Sequence, residues 1–396
     1  MGLPLDGITV IDFSQIEAGP LATLLLSDFG ARVIKVERFP DGDLLRSHYG
    51  HEYDGVRIPF ASLNRGKESL AVSIKTQQGL EIVKTLLSMS DVMVHNFRPG
   101  VMERLGLGWD QLKEEYPALI YAEISGYGSK GPMVKEGGQD VTAQALSGLM
   151  RQNSDPTSDE ARAIGYPVSD FGAGMSLLCG ILMALIGRFR EGKGSYITTS
   201  LIESSLFSAI TEVTEAQMGY RTSQFDDPVT GVYKAKDGEL VVMPIWRETA
   251  VSDFLKVIGL EEIVNDPRMQ DLESRKQSAR WVREQINNKV EGFQREELLK
   301  KLHENNLLCG PVQSFLDVAQ HPQIKAIDPW ATFETTTGET GTTIASPFTV
   351  DGYRRKNGKV PELGEQSFAI LKSFGYSDEE IASFVQQNIV YVEKHH

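Results

Sequence analysis

Thr9 to Phe13 (TVIDF) is a short run of β-branched and apolar residues. Arg32 to Glu37 (RVIKVE) alternates apolar with polar side chains, the period of two that predicts a strand. Between them a loop, Ser14 to Gly19, leads to Pro20 and a helical pattern through Leu24, Leu25, Leu26 and Phe29, which Gly30 closes. This strand-loop-helix-strand order predicts the opening of a doubly wound sheet. Further strands are predicted at Ser69 to Ile74, Asp91 to His95, Pro117 to Ser125 and Ser195 to Thr199, with an amphipathic helix over Lys75 to Ser88. Ser147 to Met150 and Met175 to Phe189 have the composition of buried helices.

The pattern changes near residue 222. From Asp226 to about Pro329 the chain is more polar, with charged amphipathic stretches at Val251 to Val264 and Ser278 to Leu302. Phe333 to Val350, rich in Thr and Gly, predicts hairpin strands, and Glu365 to Ile389 two short helices. The organisation expected is a large Rossmann-like α/β domain over 1–222, a small α+β domain over 223–329, and a return of 330–396 to the large domain.

The chain has 396 residues, 41% of them hydrophobic, enough for a sizeable core. A net charge of -14 argues against a nucleic-acid partner, whose binders carry a basic footprint. The longest apolar run, Leu177 to Ile186, falls short of a membrane span, and the N-terminal residues lack a signal pattern. Two cysteines, Cys179 and Cys309, make no disulfide framework. No membrane partner and a cytoplasmic location are therefore expected. The seven histidines show no zinc-ligand spacing, so no metal is expected, and the terminal His395-His396 pair reads as a tail.

Glu37 ends the second predicted strand, where a dinucleotide-binding protein places a ribose-binding acid. The first loop, SQIEAGP, lacks the G-x-G-x-x-G phosphate cradle, which argues against a nicotinamide enzyme. Val168-Ser169-Asp170-Phe171-Gly172-Ala173-Gly174 sets a carboxylate ahead of a long apolar run. Asp170 reads either as a helix N-cap or as a nucleophile that forms a covalent acyl intermediate, with the glycines opening backbone amides to an oxyanion. Arg38, Arg65, Lys67, Lys75, Arg98 and Arg104 form a local basic set in an acidic chain, suited to the phosphates of a nucleotide-like ligand. Asn96-Phe97-Arg98-Pro99-Gly100 follows a predicted strand, where loops of a parallel sheet line the ligand crevice.

Taken in order, VIDFSQIEAGP, LLSDFGARVIKVE, NRGKESLAVSIKTQQG, DVMVHNFRPGVMERLG, ISGYG, AQALSGLM, VSDFGAG, REGKGSYI, HPQIKA and PELGEQSFAIL resemble the landmarks of family III CoA-transferases. That group holds formyl-CoA and carnitine CoA-transferases, with α-methylacyl-CoA racemase as a cousin. The resemblance runs from Leu5 to about Ile389. It implies an interlocked homodimer with no metal, which moves coenzyme A between an acyl-CoA and a small carboxylic acid. It implies that Asp170 attacks the donor thioester, passing through a mixed anhydride and an aspartyl-CoA thioester. It carries CoA contacts onto Arg38, Val72, Lys75, Asn96, Phe97 and Arg104, and backbone approach to the pantetheine end onto Ile16 and Ala18.

Three positions bear on specificity. Glu17 stands where formyl-CoA transferase has glutamine, and the stretch Gly238 to Arg247 (GELVVMPIWR) lacks that enzyme's run of glycines. Both differences argue against formyl-CoA and oxalate as the substrates. Gly138-Gln139-Asp140 stands where the racemase has Gly-His-Asp, and glutamine carries no proton at neutral pH. Transfer is therefore favoured over racemisation, which would need Glu17 or Asp140 as base, and over CoA binding without turnover. Arg151, Arg162 and Arg247 are candidates to meet a second carboxylate on an acceptor.

Overall fold

The computed structural model describes residues 2–154, 160–220 and 226–393. His395-His396 and the boundary at residue 222 lie outside the described residues. The chain divides into two compact units: residues up to Ile210 together with those from Pro329 onward make one, and Thr211–Asp328 the core of the other.

The first unit is built on a seven-stranded sheet. Its strands are β1 (Thr9–Asp12), β2 (Arg32–Glu37), β3 (Glu68–Val72), β4 (Val92–His95), β5 (Ile120–Ser125), β6 (Tyr196–Ser200) and β7 (Val390–Tyr391). Their order is β7-β3-β2-β1-β4-β5-β6. All pairs are parallel except β7, which joins the edge antiparallel, Val390 opposite Val72. The 3-2-1-4-5-6 run is that of doubly wound dinucleotide-binding sheets.

Alternation along each strand sends successive side chains to opposite faces, and here both faces are covered. One carries Ile11, Ile34, Leu70, Met93 and Tyr121. There they pack against Ile82, Val83 and Leu86 of helix α2 (Gln77–Ser88) and against Ile370 and Ile381 of the C-terminal helices. The other face carries Val10, Val33, Val94, Ile120 and Ala122. It meets Ala22, Leu25 and Leu26 of α1 (Ala18–Asp28), and Ala173, Leu177 and Ile181 of α4 (Val168–Glu191). Each such aliphatic side chain contributes about 1.5–3 kcal/mol on leaving water. A shorter helix, α3 (Asp140–Ser147), precedes α4.

Helix α4 departs from the expectation of a buried helix. It is one continuous element of 24 residues, long and apolar enough by length and composition to cross a membrane. Only one face is buried; Met183, Ile186 and Phe189 on the other are 61–73% exposed.

The second unit holds a three-stranded antiparallel sheet, Gly231–Ala235, Gly238–Val242 and Cys309–Pro311. Its core joins Tyr233, Leu240, Phe254, Val282, Ile286, Leu298 and Leu302. The stretch from Ser278 to Leu302 forms two helices, Ala279–Val290 and Arg295–Glu304, because Gly292 and Phe293 interrupt it. The expected hairpin pairs Trp330–Glu334 with Thr340–Ile344 in the first unit.

Candidate active site

The chain leaves β1 toward one side of the sheet and β4 toward the other, so their carboxyl ends frame the crevice where ligands bind in such sheets. The connections there are tied together. The Gln15 N–H donates to Asn96 Oδ1 at 2.9 Å, and Asn96 Nδ2 donates back to the Gln15 carbonyl at 2.7 Å. The Ile16 N–H donates to Asp43 Oδ1 at 3.2 Å. Beneath the loop the fully buried Lys35 donates to the Ser14 carbonyl at 2.7 Å and pairs with Asp43 at 2.8 Å. These bonds hold Ile16 at φ +67°, a left-handed conformation that a β-branched residue rarely adopts. Glu17 follows as the N-cap of α1.

Asp170 is the third residue of α4, and the helix is not capped by it. Pro167 occupies the cap position and offers no side-chain acceptor. The capping carboxylate comes from Asp140, at the start of α3, whose Oδ1 accepts the N–H of Ser169 at 2.6 Å and of Asp170 at 3.1 Å. Gln144 fixes that carboxylate by donating to its Oδ2 at 2.6 Å, while its own Oε1 accepts the Ile164 N–H at 2.8 Å. The Asp170 carboxyl therefore does not serve as that cap.

Glycine governs two close approaches here. A Cβ on Gly174 would meet the Ala18 carbonyl oxygen at 2.5 Å, so glycine lets the first turns of α1 and α4 touch. Gly126 after β5 and Gly138 before α3 press backbone on backbone, and a side chain on either would drive into the other. Together these contacts bring Glu17, Asp140 and Asp170 to one place.

They line a cavity of about 400 Å³ with Ile16, Ala18, Asn96 and Gln139, a volume within the range of small-ligand sites. The sequence reading missed Leu45, Tyr49, Pro59, Ile124, Ser125, Val141 and Leu201, which complete the wall. Ile124 and Ser125 stand in the ISGYG landmark, and Tyr49 precedes Gly50 at a turn where both take positive φ. Among the described lining residues there are three carboxylates and no lysine or arginine. Burial, reinforced by the Asp140 charge, raises Asp170 to about 7. Burial first, then the charges of Asp170 and Asp140, raises Glu17 to about 7 as well. Near neutral pH the two therefore share protons as a coupled pair. An ionised Asp170 here is a poorly solvated carboxylate.

The remaining expected residues lie outside this cavity. Arg38 follows β2, exposed, 3.6 Å from Asp41. Lys75 and Arg104 are exposed, beyond the carboxyl ends of β3 and β4. Phe97 packs on the core and stacks on His95, with ring centroids 6.2 Å apart. The Val72 side chain is buried in the core, which leaves only its backbone for a ligand.

Two members of the basic set are structural. Arg65 is fully buried and bidentate on Asp28, at 2.5 and 2.9 Å. Lys67 is buried on Asp12, Thr23 and Asn64. Glu37 is likewise committed, held by two bonds from Arg46 at 2.8 and 2.7 Å. Arg151 and Arg162 do not line the cavity, and Arg247, in the second unit, is bound to Asp253 and the Asn305 carbonyl.

The model of CoA-transferase family III matches residues 5–367. The (R)-2-hydroxy-4-methylpentanoate CoA-transferase of Clostridioides difficile is 30% identical over 399 residues, covering 98% of this chain and 99% of that one. The acetyl-CoA:oxalate CoA-transferase of Acetobacter aceti is 30% identical over 387 residues, covering 94% and 96%. A solved structure of a CaiB/BaiF family protein from Brucella suis superposes with a TM-score of 0.83 at 26% identity, covering 94% of this chain and 100% of that one.

Proposed function

The chain belongs to CoA-transferase family III and is a CoA-transferase acting between an acyl-CoA and a carboxylic acid, and we propose that it works through covalent chemistry on Asp170. A carboxylate oxygen of Asp170 attacks the donor thioester carbonyl, and CoA leaves as its thiolate. The product is a mixed anhydride of the donor acyl group with the side chain. The thiolate then attacks the aspartyl carbonyl and releases the donor as a free acid, leaving an aspartyl-CoA thioester. The acceptor carboxylate attacks that thioester and expels the thiolate to form a second anhydride. The thiolate takes the acceptor acyl group, and the Asp170 carboxylate is restored. Splitting the exchange this way replaces one difficult step with several easier ones.

The observation that carries this reading is the outside cap. Because Asp140 serves the α4 amides, the Asp170 carboxyl faces the cavity without that duty. Arg38, Lys75 and Arg104 are proposed to meet the CoA phosphates, and Phe97 and the Val72 backbone the adenine end. Ile16 and Ala18 would approach the pantetheine end. Homodimerisation is proposed too, supported by the exposed apolar Met183, Ile186 and Phe189 of α4. Intact-protein mass spectrometry after mixing with a panel of acyl-CoAs, with hydroxylamine trapping and peptide mapping, tests the mechanism. An adduct on the Asp170 peptide is expected. Transfer that persists in Asp170→Ala would overturn it.

A further inference from the structure

Resting on the transfer reading above, we infer that the acceptor is a monocarboxylic acid with an uncharged, apolar tail, and that Glu17 turns dicarboxylates away. The wall around Asp170 is of two kinds. Leu45, Ile124, Val141 and Leu201 are apolar, and Glu17, Asp140 and Asp170 are acids, with no lysine or arginine among the described lining residues. Lys35 is committed to Asp43, Lys67 to Asp12, Arg46 to Glu37 and Arg65 to Asp28, while Arg98 lies exposed against Gly137, outside the described lining.

An acceptor carboxylate that attacks the aspartyl thioester loses its charge as the anhydride forms, and the charge leaves on the thiolate. A second carboxylate keeps its charge throughout. It would shed water among apolar and acidic side chains with no lysine or arginine in the described lining to receive it, the arrangement that buried charges avoid. Of the three acids, Asp140 has both oxygens engaged by the α4 amides and Gln144. Asp170 is consumed in the covalent step. Glu17 remains, half-buried and without an ion pair among the described residues. Its carboxyl is the group that a second acidic function meets.

The test is a competition between equimolar pentanoate and glutarate, acids of equal chain length, with a panel of short-chain acyl-CoA donors and mass-spectrometric measurement of both CoA products. At about pH 9, above the value of about 7 to which burial raises Glu17, pentanoyl-CoA should exceed glutaryl-CoA by about tenfold or more, the scale of one unscreened like-charge contact. In Glu17→Gln, checked for folding by circular dichroism, the ratio should narrow toward unity. An Asp170 adduct with glutarate taken as well as or better than pentanoate overturns the inference and leaves the transfer mechanism standing. An unchanged ratio in the folded variant overturns the role of Glu17. No adduct and no product from any donor removes both readings.

Discussion

The Asp140 carboxylate accepts the backbone N–H of Asp170 at 3.1 Å. One acid thus anchors the main chain of the other while its charge acts on the second side chain. The anchor stabilises the α4 N-terminus, and the charge contributes to raising the Asp170 carboxyl to about 7, after burial. Asp140→Asn keeps an acceptor oxygen and removes the charge. The pH at which Asp170 acylation is half-maximal should fall below that of the native enzyme, as read from the rate of hydroxylamine-trapped adduct between pH 5 and 9. Asp140→Ala loses the cap as well and should cost about 1 kcal/mol of stability. An unmoved pH profile in Asp140→Asn would show that burial alone sets the value.

A carboxyl raised in the folded state makes folding less favourable as it ionises. Below the unfolded value, near 4, Asp170 is protonated in both states and contributes no difference. As pH rises toward about 7 the unfolded chain gives up its proton first, so native stability declines through that window and stays lower above it. Asp170→Asn removes the loss. Because Asp170 is partly exposed, the gain at pH 8 should be only ~1–2 kcal/mol, shrinking toward zero near pH 4. Urea unfolding of both proteins across this range measures it. A variant less stable than the native protein at pH 8 would contradict the raised value.

What could be read ahead of the structure was what sits close in the chain. The strands at Thr9, Arg32 and Val92 follow from local periodicity, and the helix after Pro20 from its own spacing and its closing Gly30. Asp170 and Glu17 were found because their motifs are contiguous. Asp140 was marked only as a neighbour; its duty is to cap a helix 28 residues further on, and nothing near it announces that. Arg65 and Lys67 misled for the same reason. Their partners Asp28 and Asp12 stand 37 and 55 positions away, and burial turns what read as phosphate-binding charge into internal ion pairs. Lys35, in an alternating strand, gave no hint that both faces of the sheet are covered.

Ile16 sits at φ +67°, held by Asn96 on one side and Asp43 on the other. A non-glycine residue in that region pays about 1–2 kcal/mol. Ile16→Ala discards the side chain and keeps the strain, whereas Ile16→Gly relieves it. The glycine variant should therefore be at least as stable as the alanine variant, by ~1 kcal/mol, against the usual order of these two residues. Thermal unfolding of the pair decides it. Alanine the more stable would mean the loop relaxes out of the left-handed conformation.

The exposed cations beyond the strand ends carry the last prediction. Arg104 and Lys75 lie outside the cavity that holds Asp170, so charges there can act on CoA phosphates but not on the reacting carbonyl. Removing such a contact weakens ground state and transition state alike, which raises KM and spares kcat. Arg104→Ala and Lys75→Ala should each raise the KM for acyl-CoA roughly three- to tenfold at low salt, as expected for one charge-assisted contact at a solvated surface. The difference from the native enzyme should shrink as ionic strength rises, since about 0.15 M salt screens exposed charges beyond ~8 Å. A fall in kcat at unchanged KM would instead tie these side chains to the bond-making steps, and a salt-independent effect would mean that the substitutions disturb the fold rather than the phosphates.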